Sequence, residues 1–180
     1  MKLSTRRVAQ LAVMVALLVI GAYVSIPLRP VPITFQSAFV VLTPLLFGTT
    51  AYIAVLAYLL LGLVGLPVFA EGASGLVALS GPTGGFLAGF LLASIVVGVI
   101  AEHWHWDSQW RDLALAEGSL VFIYVPGVFW MWHVLLLRGG AAQAALVGLI
   151  PIVALDVVKM AVVAALVRPL RSALAEVDGG

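Results

Sequence analysis

The chain has 180 residues, of which 63% are hydrophobic and 9% charged, with mean hydropathy +1.19. Ordinary soluble domains are about 45–50% apolar and about 25% charged, so a soluble enzyme is excluded. The net charge of +1 offers no basic stripe to nucleic acid, and the absence of cysteine removes disulfides, thiolate metal sites and cysteine nucleophiles. The bilayer is the solvent that suits this composition.

At roughly 25–30 residues per crossing and connection, the length allows about six membrane helices. The expected fold is therefore all-α, one transmembrane domain over residues 1–180 with no separate soluble unit. No charge interrupts the chain between Arg7 and Arg29, which predicts a first span over residues 8–26. Its apolar run exceeds a signal-peptide core and lacks an Ala-x-Ala cleavage site, so it reads as an uncleaved helix. Residues 30–70 are again free of charge, enough for two crossings divided at Gly48-Thr49-Thr50, with spans at 34–47 and 51–65. The second of the six is only about 20 Å long against a hydrocarbon core of about 30 Å, as suits a helix bordering a cavity.

Residues 66–82 read as a Gly-rich loop in which Glu71 is solvated, and a fourth span follows at 84–101. The segment from Glu102 to Asp112 reads as an interfacial loop carrying Trp104, Trp106 and Trp110. The fifth span is predicted at 115–137 and the sixth at 144–167, with Pro151 near its start. Under the positive-inside rule, Lys2, Arg6, Arg7, Arg111, Arg168 and Arg171 place both termini in the cytoplasm, leaving Arg29 and Arg138 outside. Trp130 and Trp132 then lie toward the outer interface.

The sharpest chemical signal is Asp156 and Lys159 in the sixth span. Their i, i+3 spacing puts both on one helix face, and ionisable residues within a span face the bundle interior and mark functional sites. The pair either offers an acceptor and a donor to a buried polar ligand or neutralises itself and fixes helix packing. Gly81-Pro82-Thr83-Gly84-Gly85-Phe86 lacks the Lys-Ser/Thr ending of a phosphate loop. It suits a helix start whose amides could meet an anion. Gly81, Gly85, Gly89 and Ala93 also form a small-residue ridge for close helix packing. Ala12 and Ala16, with Ala9 nearby, make a second small-residue face, on the first span. Thr34 and Gln36 on the second helix, and Tyr124 beside Pro126-Gly127, could meet a ligand or a neighbouring helix. An HxH at His103 and His105 is a weak metal pattern, and neither Ser80 nor Ser94 with His133 makes a hydrolytic site.

In these motifs the sequence resembles the BioY family, the biotin-specific S components of energy-coupling factor (ECF) transporters. The resemblance runs through Pro30-Val31-Pro32-Ile33-Thr34-Phe35-Gln36, Gly65-Leu66-Pro67-Val68-Phe69-Ala70 and, most specifically, Gly81 to Phe90. Ile123-Tyr124 with Gly127 and Trp130, then Pro151 through Asp156-x-x-Lys159, complete the order. It implies a six-helix bundle of the ECF S-component type in a prokaryotic plasma membrane. Such a subunit captures biotin from outside with neither catalysis nor cofactor. ABC ATPases and a transmembrane coupling subunit would power uptake, since the chain carries no Walker sequence. By the same resemblance, Asp156 and Lys159 belong to the biotin site. Gln36, Thr83, Phe86 and Tyr124 occupy matched motif positions, and Ala12 and Ala16 the face that docks the coupling subunit.

Three departures stand out: Leu155 and Ile152 where the family often has glycine and an aromatic, and the loop 71–75 with Glu71 in place of a glycine-rich form. Biotin's chemistry suits the pair, because its ureido ring has two N–H donors and a carbonyl, its thiophane ring is apolar and its tail ends in a carboxylate. The expected cavity lies among the second, fourth, fifth and sixth spans, closed by the 66–82 loop. Two alternatives are an S component for another vitamin and an intramembrane enzyme. The enzyme would need a nucleophile with a base, or metal ligands, inside the spans.

Overall fold

A computed structural model describes residues 3–104, 108–139 and 141–179. Lys2, His105 and Trp106 lie outside the described residues. The chain forms α1 (Thr5–Tyr23), a two-strand ribbon of β1 (Ser25–Ile26) and β2 (Ile33–Thr34), α2 (Gln36–Phe47), α3 (Tyr52–Leu63), the short α4 (Gly75–Ser80), α5 (Gly84–His103), α6 (Gln109–Leu137) and α7 (Ala142–Gly179). By length and composition five stretches can cross a bilayer, with Gln36–Leu63 counted as one of them. That stretch doubles back at the 3-10 turn Gly48–Ala51, because the Gln36 side chain hydrogen-bonds the hydroxyl of Tyr58. A straight helix would hold those residues about 33 Å apart. Six helices of twelve residues or more result among the described residues, as the charge-free runs predicted.

Several boundaries differ from the expected ones. α1 ends at Tyr23 because the chain turns into the ribbon, so Thr34 belongs to β2 and Gln36 is the first residue of α2. α6 begins at Gln109, inside the segment read as an interfacial loop. Ser108 caps it by accepting from the Arg111 amide at 3.1 Å, and Asp112 sits in the first turn, where the helix dipole favours an anion. Arg111 and Asp112 are buried as a result. The 66–82 loop contains α4, and α7 runs well beyond the expected sixth span.

α5 packs along α6, α6 along α7, and α2 sits against α1, α5 and α7. The close fit of α5 on α6 comes from the glycine ridge. A side chain at Gly85 would strike Trp130 and the Pro126 carbonyl, and one at Gly89 would lie 2.7 Å from the Ile123 carbonyl. The Phe122 carbonyl, left without a helical amide by Pro126, also faces Gly89. At the turn between α2 and α3, Gly48 takes φ of +58°, and its carbonyl approaches α5 where Gly98 has no side chain. The core is apolar, with Leu18, Val40, Val41, Tyr58, Ile123 and Met160 fully buried. Hydroxyls inside it bond back to their own helices, Thr43 to the Phe39 carbonyl and Ser119 to that of Ala116. Facing outward, Phe129 and Leu137 are each 75% exposed, as lipid-facing side chains should be.

Candidate ligand-binding site

α2 has only 12 residues, so its N-terminus stops partway along its longer neighbours. The space it leaves is a cavity of about 670 Å³ at the end of the bundle where α1 finishes. That volume falls in the small-molecule range of about 300–1,000 Å³. The walls come from the β1–β2 connection, α2, the segment 69–83, α5, α6 and α7, with Phe69, Leu87, Phe90, Ile123 and Ile152 giving an apolar lining. This matches the expected surround of the second, fourth, fifth and sixth long helices with the 66–82 loop.

Asp156 is the buried anion of the cavity, 5% exposed, and both its oxygens are engaged. Oδ1 accepts from the Ser37 hydroxyl at 2.9 Å and is ion-paired with Lys159, while Oδ2 accepts from the Tyr124 hydroxyl at 2.8 Å. Lys159 also donates to the Thr34 carbonyl at 2.7 Å and to Ser37 Oγ at 3.2 Å. Its ammonium thus fastens the start of α2 to α7. Tyr124 is steadied by Phe86, whose ring meets it edge-on at 5.7 Å. Phe86 in turn fits against Gly127, where a side chain would overlap its ring.

Gln36, Thr83, Phe86, Tyr124 and Asp156 all line the cavity. Lys159 does not. It stands behind Asp156, three sides of its ammonium taken by protein acceptors. Gln36 donates to Tyr58, which donates to the Val68 carbonyl at 3.1 Å, so this buried amide is tied to the segment that covers the cavity. At the start of α5, the Gly84 and Phe86 amides already donate to the carbonyls of Gly81 and Thr83. Packing therefore accounts for the ridge better than an anion site does.

Ser37 and Tyr58 were not singled out from the sequence. Ser37 had one signal, its position beside Gln36 at the start of a short helix. Glu71 is exposed and sits on the cavity wall with φ of +57°. Of the departures from the family pattern, Leu155 faces outward, 44% exposed, whereas Ile152 contributes to the wall. Ala9, Ala12 and Ala16 form an exposed strip on α1, and none of them lines the cavity. No group of three or more metal-binding side chains occurs among the described residues. His105, half of the HxH pattern, lies outside them.

The family model for the BioY family matches residues 1–176. The chain is 42% identical over 164 residues to the biotin transporter BioY of Thermotoga maritima, covering 90% of this chain and 93% of that one. It is 34% identical over 160 residues to the probable biotin transporter BioY of Pyrococcus horikoshii, covering 88% and 92%. In fold it is similar to the crystal structure of the S-component for biotin from an ECF-type ABC transporter, with a TM-score of 0.81 over 95% of each chain at 22% identity. From the buried Asp156 cluster on its short-helix floor to these matches along nearly its whole length, the chain belongs to the BioY family.

Proposed function

We propose that the chain is a biotin-capturing S component of an ECF-type transporter. One observation carries the reading: a buried carboxylate, Asp156, oriented by Ser37, Tyr124 and Lys159 at the inner end of an apolar cavity of vitamin size. Biotin's ureido N–H groups are donors suited to such an acceptor, and its ring system suits the apolar wall. The names of the relatives support the same ligand.

With both termini in the cytoplasm the cavity opens outward, so the subunit takes ligand from outside a prokaryotic plasma membrane. It performs no reaction at its own site. A coupling subunit docks on the Ala9, Ala12 and Ala16 strip of α1, where the small side chains allow a second helix to approach closely. Partner ATPases drive reorientation and release of the ligand to the cytoplasm.

The test is calorimetric titration with biotin of detergent-purified protein stripped of carried-over ligand. Tight stoichiometric binding is expected, weakened at least about tenfold in Asp156→Asn, since a charge-assisted hydrogen bond contributes about 1.5–3 kcal/mol. Wild-type affinity in that variant would overturn the site. Absence of binding to folded protein would overturn biotin as ligand and leave another vitamin to be found.

A further inference from the structure

The cavity has a second polar feature, at its mouth. Arg29 and Arg138 are the two basic residues on its wall, and both are exposed. Among the described residues neither makes an ion pair. Arg138 is nevertheless held in place. Its Nη2 donates to the Ser80 carbonyl at 3.3 Å, and its amide closes the end of α6 on the Val134 carbonyl. Ser80 directly precedes Gly81, Pro82 and Thr83, which line the cavity, so the guanidinium is anchored over the entrance. One carbonyl occupies one of its five N–H groups, leaving a forked face suited to a carboxylate.

The order of groups along the elements is equally telling. Phe86 meets Tyr124, which bonds Asp156, and Ser80 precedes the start of α5 by a tight turn. Toward the rim from Asp156 the wall carries Ile152, one turn earlier on α7, and Leu135, three residues before Arg138, both apolar. Lys159 cannot serve an incoming anion, because its three N–H groups already face Asp156, the Thr34 carbonyl and Ser37. Glu71 also lies at the mouth, where two cations face one anion.

We propose that Arg138, together with Arg29, forms an anion port that holds the ligand's carboxylate while its N–H-bearing ring reaches Asp156. This rests on the biotin reading of the cavity and assigns the far end of that ligand. The port selects for a terminal negative charge, and Arg138 is a specificity-determining residue.

The experiment compares biotin with its neutral methyl ester, by calorimetry at low salt, on the full chain in detergent. Wild-type protein should prefer the acid about tenfold, in keeping with a guanidinium–carboxylate contact at a partly solvated rim. In Arg138→Gln with Arg29→Gln that preference should fall to near parity with ester binding unchanged, which also shows the cavity intact. An unchanged acid-to-ester ratio in the double variant would overturn the port. So would a wild-type protein indifferent to the charge, or an equal loss of both ligands, which would assign Arg138 to holding the 80–83 segment alone. Failure of wild-type protein to bind either compound would instead overturn the biotin reading.

Discussion

Buried charge occurs at both ends of the bundle and is treated in opposite ways. At the cavity end, Asp156 is reached from open space and each of its oxygens has a hydrogen-bonded partner. At the other end, Asp112 is wholly buried between Arg111 and Arg171, 3.3 Å from each, with one carboxylate oxygen and the Arg111 Nε unpartnered. Arg171 reaches from α7 to the Leu45 carbonyl at 2.8 Å, and Arg111 to that of Ala101. That second cluster thereby ties α2, α5, α6 and α7 together beside a smaller pocket of about 250 Å³, which Arg111 and Arg171 line and Asp112 does not. The same kind of ion pair lies against a ligand-sized cavity at one end and forms a clasp at the other. The difference is whether the carboxylate itself lines the space beside it, as Asp156 does and Asp112 does not.

Four substitutions can break or sharpen that contrast. Asp112→Ala has the largest expected effect, because it removes the buried carboxylate that joins Arg111 to Arg171. Removing one partner of a buried pair costs about 3–5 kcal/mol. Thermal unfolding in detergent should drop sharply while the folded fraction keeps wild-type biotin affinity. A variant as stable as wild type would end the clasp interpretation.

Asp156→Asn should show the reverse, a loss of affinity of at least about tenfold with a much smaller change in unfolding temperature. Equal effects of the two variants on stability would erase the distinction between the ends. Lys159→Met tests whether a cation hidden behind the wall still matters. Losing it frees Asp156 and the start of α2, and biotin affinity should fall about fivefold, the size of a typical hydrogen-bond contribution. Unchanged affinity would remove Lys159 from the positioning of Asp156. Tyr124→Phe is the mildest. It deletes one hydroxyl and keeps the ring against Phe86, for an expected two- to threefold loss of affinity, about 0.5 kcal/mol.

The cavity-end charges were legible in the sequence and the clasp was not, for a physical reason. Asp156 and Lys159 interrupt a long apolar run, where a charge has no cheap explanation. Arg111 and Asp112 lie in a polar stretch with three tryptophans, which looks like water-exposed chain until Ser108 starts α6 early and swings both residues inward. Their partner Arg171 is 59 residues from Asp112, and no spacing rule connects them. Ser37 escaped for a different reason. A helix hydroxyl ordinarily bonds to its own backbone, as Ser94 does with the Leu91 carbonyl, and only the tertiary fold shows that Ser37 turns to Asp156 instead. Among the glycines, spacing left packing and anion binding both open. The contacts of Gly85 and Gly89 with α6 favour packing.

The shortness of α2 has a consequence for ligand choice. Twelve residues span about 18 Å, leaving about 12 Å of a 30 Å hydrocarbon layer unfilled above Gln36. The cavity lies beside the start of that short helix, with Gln36 and Ser37 on its wall, so α2 works as a ruler. Its first residue sets how far a ligand's head descends, and the rim sets where its tail must end. Lengthening α2 by one turn would raise the floor by about 5.4 Å and reject a long ligand while leaving Asp156 in place on α7. Ligand length is thus set by the residue count of one helix, separately from the chemistry proposed for Asp156.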